Sequence, residues 1–380
     1  MAGHWEVSET GELRLRAGRT IRVDAATIYS VEFDGISEVD GISVRRPSAD
    51  VIGLMVVPML KAPSLVAAVD GAAVRTRLRI EPYGDVEQWP SEDHCVVGRT
   101  WIPLDRSALS AAESALRRAN VGLGEPLSAS QLLQLAWDTD ATLILEGDIG
   151  EFRTAFAGRL VTVPVQASLY PYQHDAVAYL LALVNAGLGA LLADEMGLGK
   201  TLQAIAVLAL RCEESHRPNL IVAPASLIAN WIRELGKFAP QLSVLAHGGF
   251  GRTGNYRVLA AHDVTVVSYE TLVRDAAMFN MVNWALVVAD EAQFVKNSAT
   301  SRSRALRALP RVGALALTGT PIENSLADAW ALLEFLVPDY LGDFDRFALR
   351  FPDSIAAARE LSVLVAPLVI RRRVAEVADD

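Results

Sequence analysis

The sequence predicts an α/β protein in two parts: a lobe built on a parallel sheet over residues 166–380, and a mixed, mainly β domain over residues 1–165. Three observations carry this reading. From residue 190, mostly apolar runs of strand length (ALLA at 190, LIVA at 220, VTVVS at 264, LVVA at 286, ALALT at 314) alternate with helical patterns, as strands buried on both faces of a parallel sheet do. Before residue 166 the apolar runs are short, frequent and bounded by turn residues. At residues 189–203 the chain reads GALLADEMGLGKTLQ, a strand entering a glycine loop and then a helix.

That loop dictates a chemistry. Gly197 and Gly199 let the backbone aim N–H groups at an anion at a helix N-terminus, where the helix dipole already favours negative charge. Lys200 adds a point charge for the β- and γ-phosphates of a nucleotide, and Thr201 offers a hydroxyl to Mg²⁺. Met196 and Leu198 complete the loop that would line such a ligand. The strict pattern GxxxxGK[ST] fails here, because Asp194 stands where its first glycine belongs.

The bulk numbers set limits. A chain of 380 residues, 51% hydrophobic and 21% charged, can bury a substantial core and should form two or three domains. Its formal net charge of −10 excludes a global positive field, so any contact with nucleic acid must come from a local patch. Cys95 and Cys212 show no ligand spacing, which argues against zinc and a disulfide framework and fits a reducing cytoplasm. The start, MAGHWEVSET, has neither a basic nor an apolar region, so no signal peptide is read. Residues 176–193 carry no charge and approach the length of a membrane span, but Asn185, Gly187 and Gly189 interrupt them. A helix, a short loop and a buried strand explain the same composition, and no membrane is expected. Alanine and arginine richness points to a GC-rich bacterial source.

Within residues 1–165, ELRLR at 12, TIRV at 20, IYSVEF at 28, VIGLMVV at 51, VRTRLRI at 74 and CVVGRTWIPL at 95 read as strands. Helices are expected at 107–119, capped by Asp105, and at 128–137. Arg75, Arg77 and Arg79 fall on one strand face, either to meet phosphate or as a solvated surface.

The wording DEMGLGKT resembles the nucleotide loop of the Swi/Snf-type ATPases, the chromatin-remodeller branch of helicase superfamily two, which carry Asp at that position. The similarity continues from Leu169 to the end of the chain. It implies a RecA-like lobe that uses ATP and Mg²⁺, and a DNA-dependent ATPase that moves along double-stranded DNA and displaces or remodels protein–DNA complexes. LYPYQHDAVAYL is similar to the family's Q motif, which implies that Tyr170, Pro171 and Gln173 bracket the adenine. LIVAPASLIANW implies DNA contacts from Ser226 and Asn230, with Trp231 in the core. VTVVSYETL implies a second DNA-facing tip at Ser268, Tyr269 and Thr271.

In NWALVVADEAQFVKN, Asp290 and Glu291 end a strand, where open parallel sheets place their ligands. Mg²⁺ takes oxygen ligands and keeps several waters, so Asp290 with Thr201 suffices to hold it. Glu291 then orients and deprotonates the attacking water. Gln293 occupies a position that is often histidine in the family and bears on coupling between the ATP and DNA sites. TGTPIENSL resembles the family's third motif, in which Thr318 and Thr320 transmit the nucleotide state and Glu323 and Asn324 cap the next helix.

Residues from about 338 resemble the family's helical protrusion, placing Arg371 to Arg373 at its far end, away from the phosphate loop, in a structural or DNA-binding role. By the same resemblance a second RecA-like lobe follows Asp380 and supplies arginine fingers, each worth ~10³ or more in phosphoryl-transfer rate. That lobe is the expected partner beside duplex DNA. GRTWIPLD and LSASQLLQLAW loosely resemble an accessory segment of bacterial relatives, which leaves a protein partner for residues 1–165. Two other functions stay open: a non-catalytic nucleotide-binding or protein-interaction module, and a superfamily-two RNA helicase.

Overall fold

The computed structural model describes residues 2–8, 11–71, 73–86, 88–90, 93–138, 141–147, 149–157, 162–319 and 326–377. Two compact units form, Met1–Asp148 and Ile149–Asp380. The division falls earlier than residue 165, because helix α1 (Ile149–Ala157) packs against helix α2 (Pro171–Asn185) of the second unit.

The first unit is mainly β. Strand Ala73–Ile80 alternates half-buried and buried residues, and it pairs antiparallel with Ser64–Asp70. Its outward arginines are matched to carboxylates: Arg79 to Asp85 and Glu146, both at 2.7 Å, Arg77 to Asp85 at 3.4 Å and Arg75 to Asp70 at 3.5 Å. The solvated-surface reading of that face therefore holds over the phosphate reading. Helices form at Arg106–Arg118, where Asp105 accepts from the N–H of Ser107 and Ala108, and at Ala129–Trp137, capped by Ser128. One expected strand is a helix. IYSVEF lies in Ala25–Phe33, because Asp24 accepts from Thr27 N at 2.7 Å and turns Ile28 and Val31 onto one buried face. In VIGLMVV only Met55–Val56 is strand.

The second unit is a seven-stranded, all-parallel sheet. Its strands are β1 (Gly189–Leu192), β2 (Asn219–Ala223), β3 (Val244–His247), β4 (Val264–Ser268), β5 (Trp284–Ala289), β6 (Arg311–Leu317) and β7 (Val369–Ile370). The spatial order is β3-β4-β2-β5-β6-β1-β7. Every residue of β1, β2 and β5 is buried, which is why these strands read as unbroken apolar runs. Helices α3 (Lys200–Glu214) and α4 (Ile228–Phe238) follow β1 and β2. Residues 176–193 divide as expected into the end of α2, a turn and β1, and among the described residues no helix is long and apolar enough to cross a membrane. Burial pushes both thiols, Cys95 and Cys212, up to about 12.

All seven strands point the same way, so every loop at their carboxyl ends opens on one edge. Taken along the sheet, that edge carries the turns after β3, β4, β2, β5, β6 and β1. Their sequence order is irrelevant to this. The β5, β6 and β1 turns become neighbours, and two inter-strand spacings, about 10 Å, separate the first from the third.

Packing beneath this edge leaves no slack at one position. A Cβ on Gly189 would stand 2.3 Å from the backbone oxygen of Leu336, whereas one on Gly236, within α4, would meet nothing within 4 Å. Gly189→Ala should therefore destabilise the second unit by about 1–3 kcal/mol through forced backbone displacement. Gly236→Ala should gain about 0.5–1 kcal/mol. Urea unfolding of the three proteins checks the pair, and a harmless Gly189→Ala would show that strand β1 is not seated as described.

Candidate functional site

The glycine loop adopts the shape its composition requires. Gly197 and Gly199 have φ of +93° and +77°, a region L side chains rarely enter, and Gly199 is the N-cap of α3. This leaves the first N–H groups of α3 open to an anion. Lys200 curls back, donating from Nζ to the backbone oxygens of Asp194 at 2.7 Å and Glu195 at 3.3 Å. Thr201 follows on the first turn of α3, half-buried. Met196 is exposed at the loop tip, while the Leu198 side chain is buried and its carbonyl accepts hydrogen bonds from beneath.

Gln173 works from beneath the loop. Its Oε1 accepts from Tyr170 N at 3.1 Å, and its Nε2 donates to the Leu198 carbonyl at 3.1 Å. Gln203 donates to the same carbonyl at 3.0 Å. Both ends of the Gln173 amide are thus engaged within the protein, one on Tyr170 and one on the loop. Tyr170 is exposed and stacks on Tyr172, with ring centres 5.8 Å apart and planes 9° from parallel. Pro171 begins α2.

The failure of the strict loop pattern has a structural cause. Asp194 is fully buried and its side chain is turned away from the anion side, into a bidentate pair with Arg372, whose Nε lies 3.0 Å from Oδ1 and whose Nη2 meets Oδ2. A side chain directed inward needs no glycine. The expectation that Arg371 to Arg373 lie far from the loop is corrected for Arg372: β7 pairs with β1, and that pairing carries Arg372 under Asp194. Sequence reasoning missed this because the partners are far apart in the chain and meet only through the strand order.

The carboxylates stand at the end of β5. Asp290 is held by Trp231, whose Nε1 donates to Oδ2 at 2.7 Å, and by the Glu291 N–H, which donates to Oδ1 at 2.9 Å. Burial raises its pKa above the usual carboxylate value, while these two donors pull it back down. Glu291 sits in the left-handed region, φ +48°, an uncommon conformation for a non-glycine residue. Gln293 Nε2 donates to Glu291 Oε2 at 2.8 Å, and the Thr318 hydroxyl donates to Gln293 Oε1 at 2.9 Å. An unbroken line of contacts therefore runs from Glu291 to the end of β6. Thr320, Glu323 and Asn324 lie outside the described residues.

Of the expected DNA contacts, Ser226 is exposed after β2 and Asn230 is half-buried on α4, where its Oδ1 accepts from Arg233. Ser268 and Thr271 are first of all partners: the Ser268 hydroxyl accepts from Thr271 N at 3.2 Å and bonds Thr271 Oγ1 at 3.1 Å. Tyr269, expected at the tip, is instead fully buried and donates from its hydroxyl to the backbone oxygen of Asp290 at 2.8 Å. A cavity of about 680 Å³ borders Tyr172 and Arg372 on the α1 side but includes no residue of the glycine loop, so it is separate from the anion cradle.

These residues fit a magnesium–nucleotide pair: a loop of positive-φ glycines with open N–H groups, a lysine, a hydroxyl, and an acidic pair across two strand spacings. Together they define a phosphate-loop nucleotide-binding lobe with a parallel sheet. The SNF2-related domain family matches residues 172–380, more than half of the chain, and the protein belongs to that family. YwqA of Bacillus subtilis (strain 168), provisionally named an ATP-dependent helicase/translocase, is 41% identical over 225 residues, 56% of this chain and 24% of that protein. The chromatin-remodeling ATPase INO80 of Gibberella zeae is 35% identical over 234 residues, 55% of this chain and 12% of its own. Among solved structures, the SWI2/SNF2 ATPase core of Sulfolobus solfataricus in complex with dsDNA matches with a TM-score of 0.53 and 35% identity, over 57% of this chain and 47% of that one. The chain thus spans less than half the length of each.

The Trp231 contact has a pH consequence. Trp231→Phe removes a donor to the Asp290 carboxylate, so the proton will be held to higher pH. Mg²⁺ needs the deprotonated form. The acidic limb of Mg²⁺-dependent nucleotide binding should therefore shift upward in pH in the variant, with binding recovered in more alkaline buffer. Titrating nucleotide with and without EDTA across the acidic range reads this; an unmoved limb means that Asp290 does not govern it.

Proposed function

We propose that this chain is the first RecA-like lobe, with an N-terminal accessory domain, of an ATP-driven double-stranded-DNA translocase that displaces or remodels protein–DNA complexes. The observation that carries the proposal is the convergence of Lys200, Asp290, Glu291 and Thr318 at three adjacent strand ends. A non-catalytic module has no need of the water-directed carboxylate Glu291, nor of its link to Thr318.

Phosphoryl transfer asks a protein mainly to position and to neutralise charge. N–H groups of residues 197–201 would cradle the phosphates, and Lys200 would exchange its two loop carbonyls for phosphate oxygens. Thr201 and Asp290 would hold Mg²⁺, which when bound neutralises charge on the β- and γ-phosphate oxygens. Glu291 would accept the proton of the attacking water, its carboxylate oriented by Gln293. Tyr170 offers an exposed ring to the purine. Arginine fingers would come from a second RecA-like lobe, since Arg372 is already committed to Asp194. Duplex DNA would lie across the strand ends near Ser226, Asn230, Ser268 and Thr271. The setting we propose is cytoplasmic, in keeping with two free cysteines, Cys95 buried and Cys212 partly buried.

Lys200→Ala should abolish binding of a fluorescent ADP or ATP analogue, while Glu291→Gln should bind as the parent does, because Glu291 acts on the water. Equal titration curves for the parent and Lys200→Ala would remove the phosphate loop from the mechanism.

With a formal net charge of −10, duplex binding rests on a local patch. Affinity should be low and should fall steeply between 50 and 200 mM salt, about 0.9 decades per decade of salt for each phosphate neutralised. Duplex DNA should compete better than duplex RNA; the reverse order would favour an RNA helicase, and salt-insensitive binding would place the contact elsewhere.

A further inference from the structure

We propose that Arg372 is a positioning residue that couples the purine side of the nucleotide site to its phosphate side, acting through the strap that follows β7. This rests on the nucleotide-site reading above and adds to it a residue and an element outside the loop itself. The guanidinium touches three elements at once. Nε and Nη2 hold both oxygens of Asp194, at the entry to the phosphate loop. Nη1 donates to the backbone oxygen of Tyr172, in the first turn of α2 beside exposed Tyr170, and the guanidinium carbon lies 4.8 Å from the Tyr172 ring centre. Nη2 also donates to Gln203 Oε1 at 2.8 Å, on α3.

The backbone repeats the same connection. Ala193 N donates to Ile370 O at 2.7 Å, Glu195 N to Arg372 O at 2.9 Å, Arg372 N to Asp194 Oδ1 at 3.0 Å, and Val374 N to Glu195 Oε2 at 2.7 Å. Residues 370–374 are thus laced along residues 193–195, the approach to the glycines. A planar fork is what such a task requires, because it satisfies several acceptors in fixed directions, which a lysine ammonium cannot do. With Arg372 in place, the Tyr170–Tyr172 pair and the loop N–H groups form one rigid frame, and a ligand that spans both gains from their fixed separation. Without it the loop keeps its own donors and Lys200, but α2 is no longer tied to it at this point.

The test compares two probes, ADP and inorganic pyrophosphate, each with Mg²⁺, on the parent, Arg372→Lys and Asp194→Asn, with far-UV circular dichroism and thermal melts run alongside. In Arg372→Lys, ADP affinity should fall about tenfold and pyrophosphate affinity by less than about threefold, so that preference for the nucleoside is lost. Asp194→Asn, which keeps the shape of the side chain, should show the same loss of preference. Unchanged affinities, or parallel losses for the two probes, would overturn the coupling. If Arg372→Lys does not fold, Asp194→Asn decides; if neither folds, the pair is only a structural requirement and the proposal is overturned. If the parent binds neither probe, the nucleotide-site reading itself fails, a result distinct from all of these.

Discussion

A buried carboxylate needs a partner, and at Asp194 that need organises the site. The side chain has no exposure, so ionised and alone it would be untenable; removing the partner from such a pair costs about 3–5 kcal/mol. Arg372 meets it with a bidentate fork, and the position of Arg372 depends on β7 lying beside β1. The phosphate loop is therefore not a self-contained turn. Its approach is built on a strand that arrives only after the chain has passed through the helices Leu326–Leu336, Phe344–Arg350 and Ile355–Val365.

Asp290 shows the same logic on the other side of β6. Segments that follow β2 and β4 both reach it: Trp231 on α4 bonds its carboxylate, and Tyr269 after β4 bonds its backbone oxygen. Both aromatic residues are buried, so neither is a stacking platform for a base. They tie the turns after β2 and β4 to the acidic pair. This is a mechanical connection, and it becomes a signal only if one of these segments has two discrete arrangements.

What was legible in the sequence was local. The loop from Gly197 to Thr201 and the pair Asp290 and Glu291 each lie within one strand-to-turn segment, so residue type and spacing were enough to find them. The sheet was legible for a similar reason: strands buried on both faces leave apolar runs that no other arrangement explains as simply. The helix at Ala25–Phe33 was missed because its β-branched and aromatic residues look like a strand; the usable signal was Asp24 at the cap position. Trp231 was placed in the core, where it lies, but its bond to Asp290, like the positions of Arg372 and Tyr269, could not be read from a motif, since what defines these residues is who their partner is. Those partners are fixed by strand order, which spacing along the chain does not reveal.

Gln293, where the resemblance leads one to expect histidine, joins two neighbours through one side chain. Its amide offers a donor and an acceptor at once, and here it uses both, donating to Glu291 and accepting from Thr318. A neutral histidine can make the same pair of contacts, one nitrogen serving each neighbour. Once protonated, however, it has only donors, and the contact with Thr318 would have to reverse, the hydroxyl then accepting. The amide gains no such proton, so its own donor and acceptor keep their directions where a histidine's would change. Glutamine here joins the Glu291 carboxylate to Thr318 through a side chain that does not itself titrate.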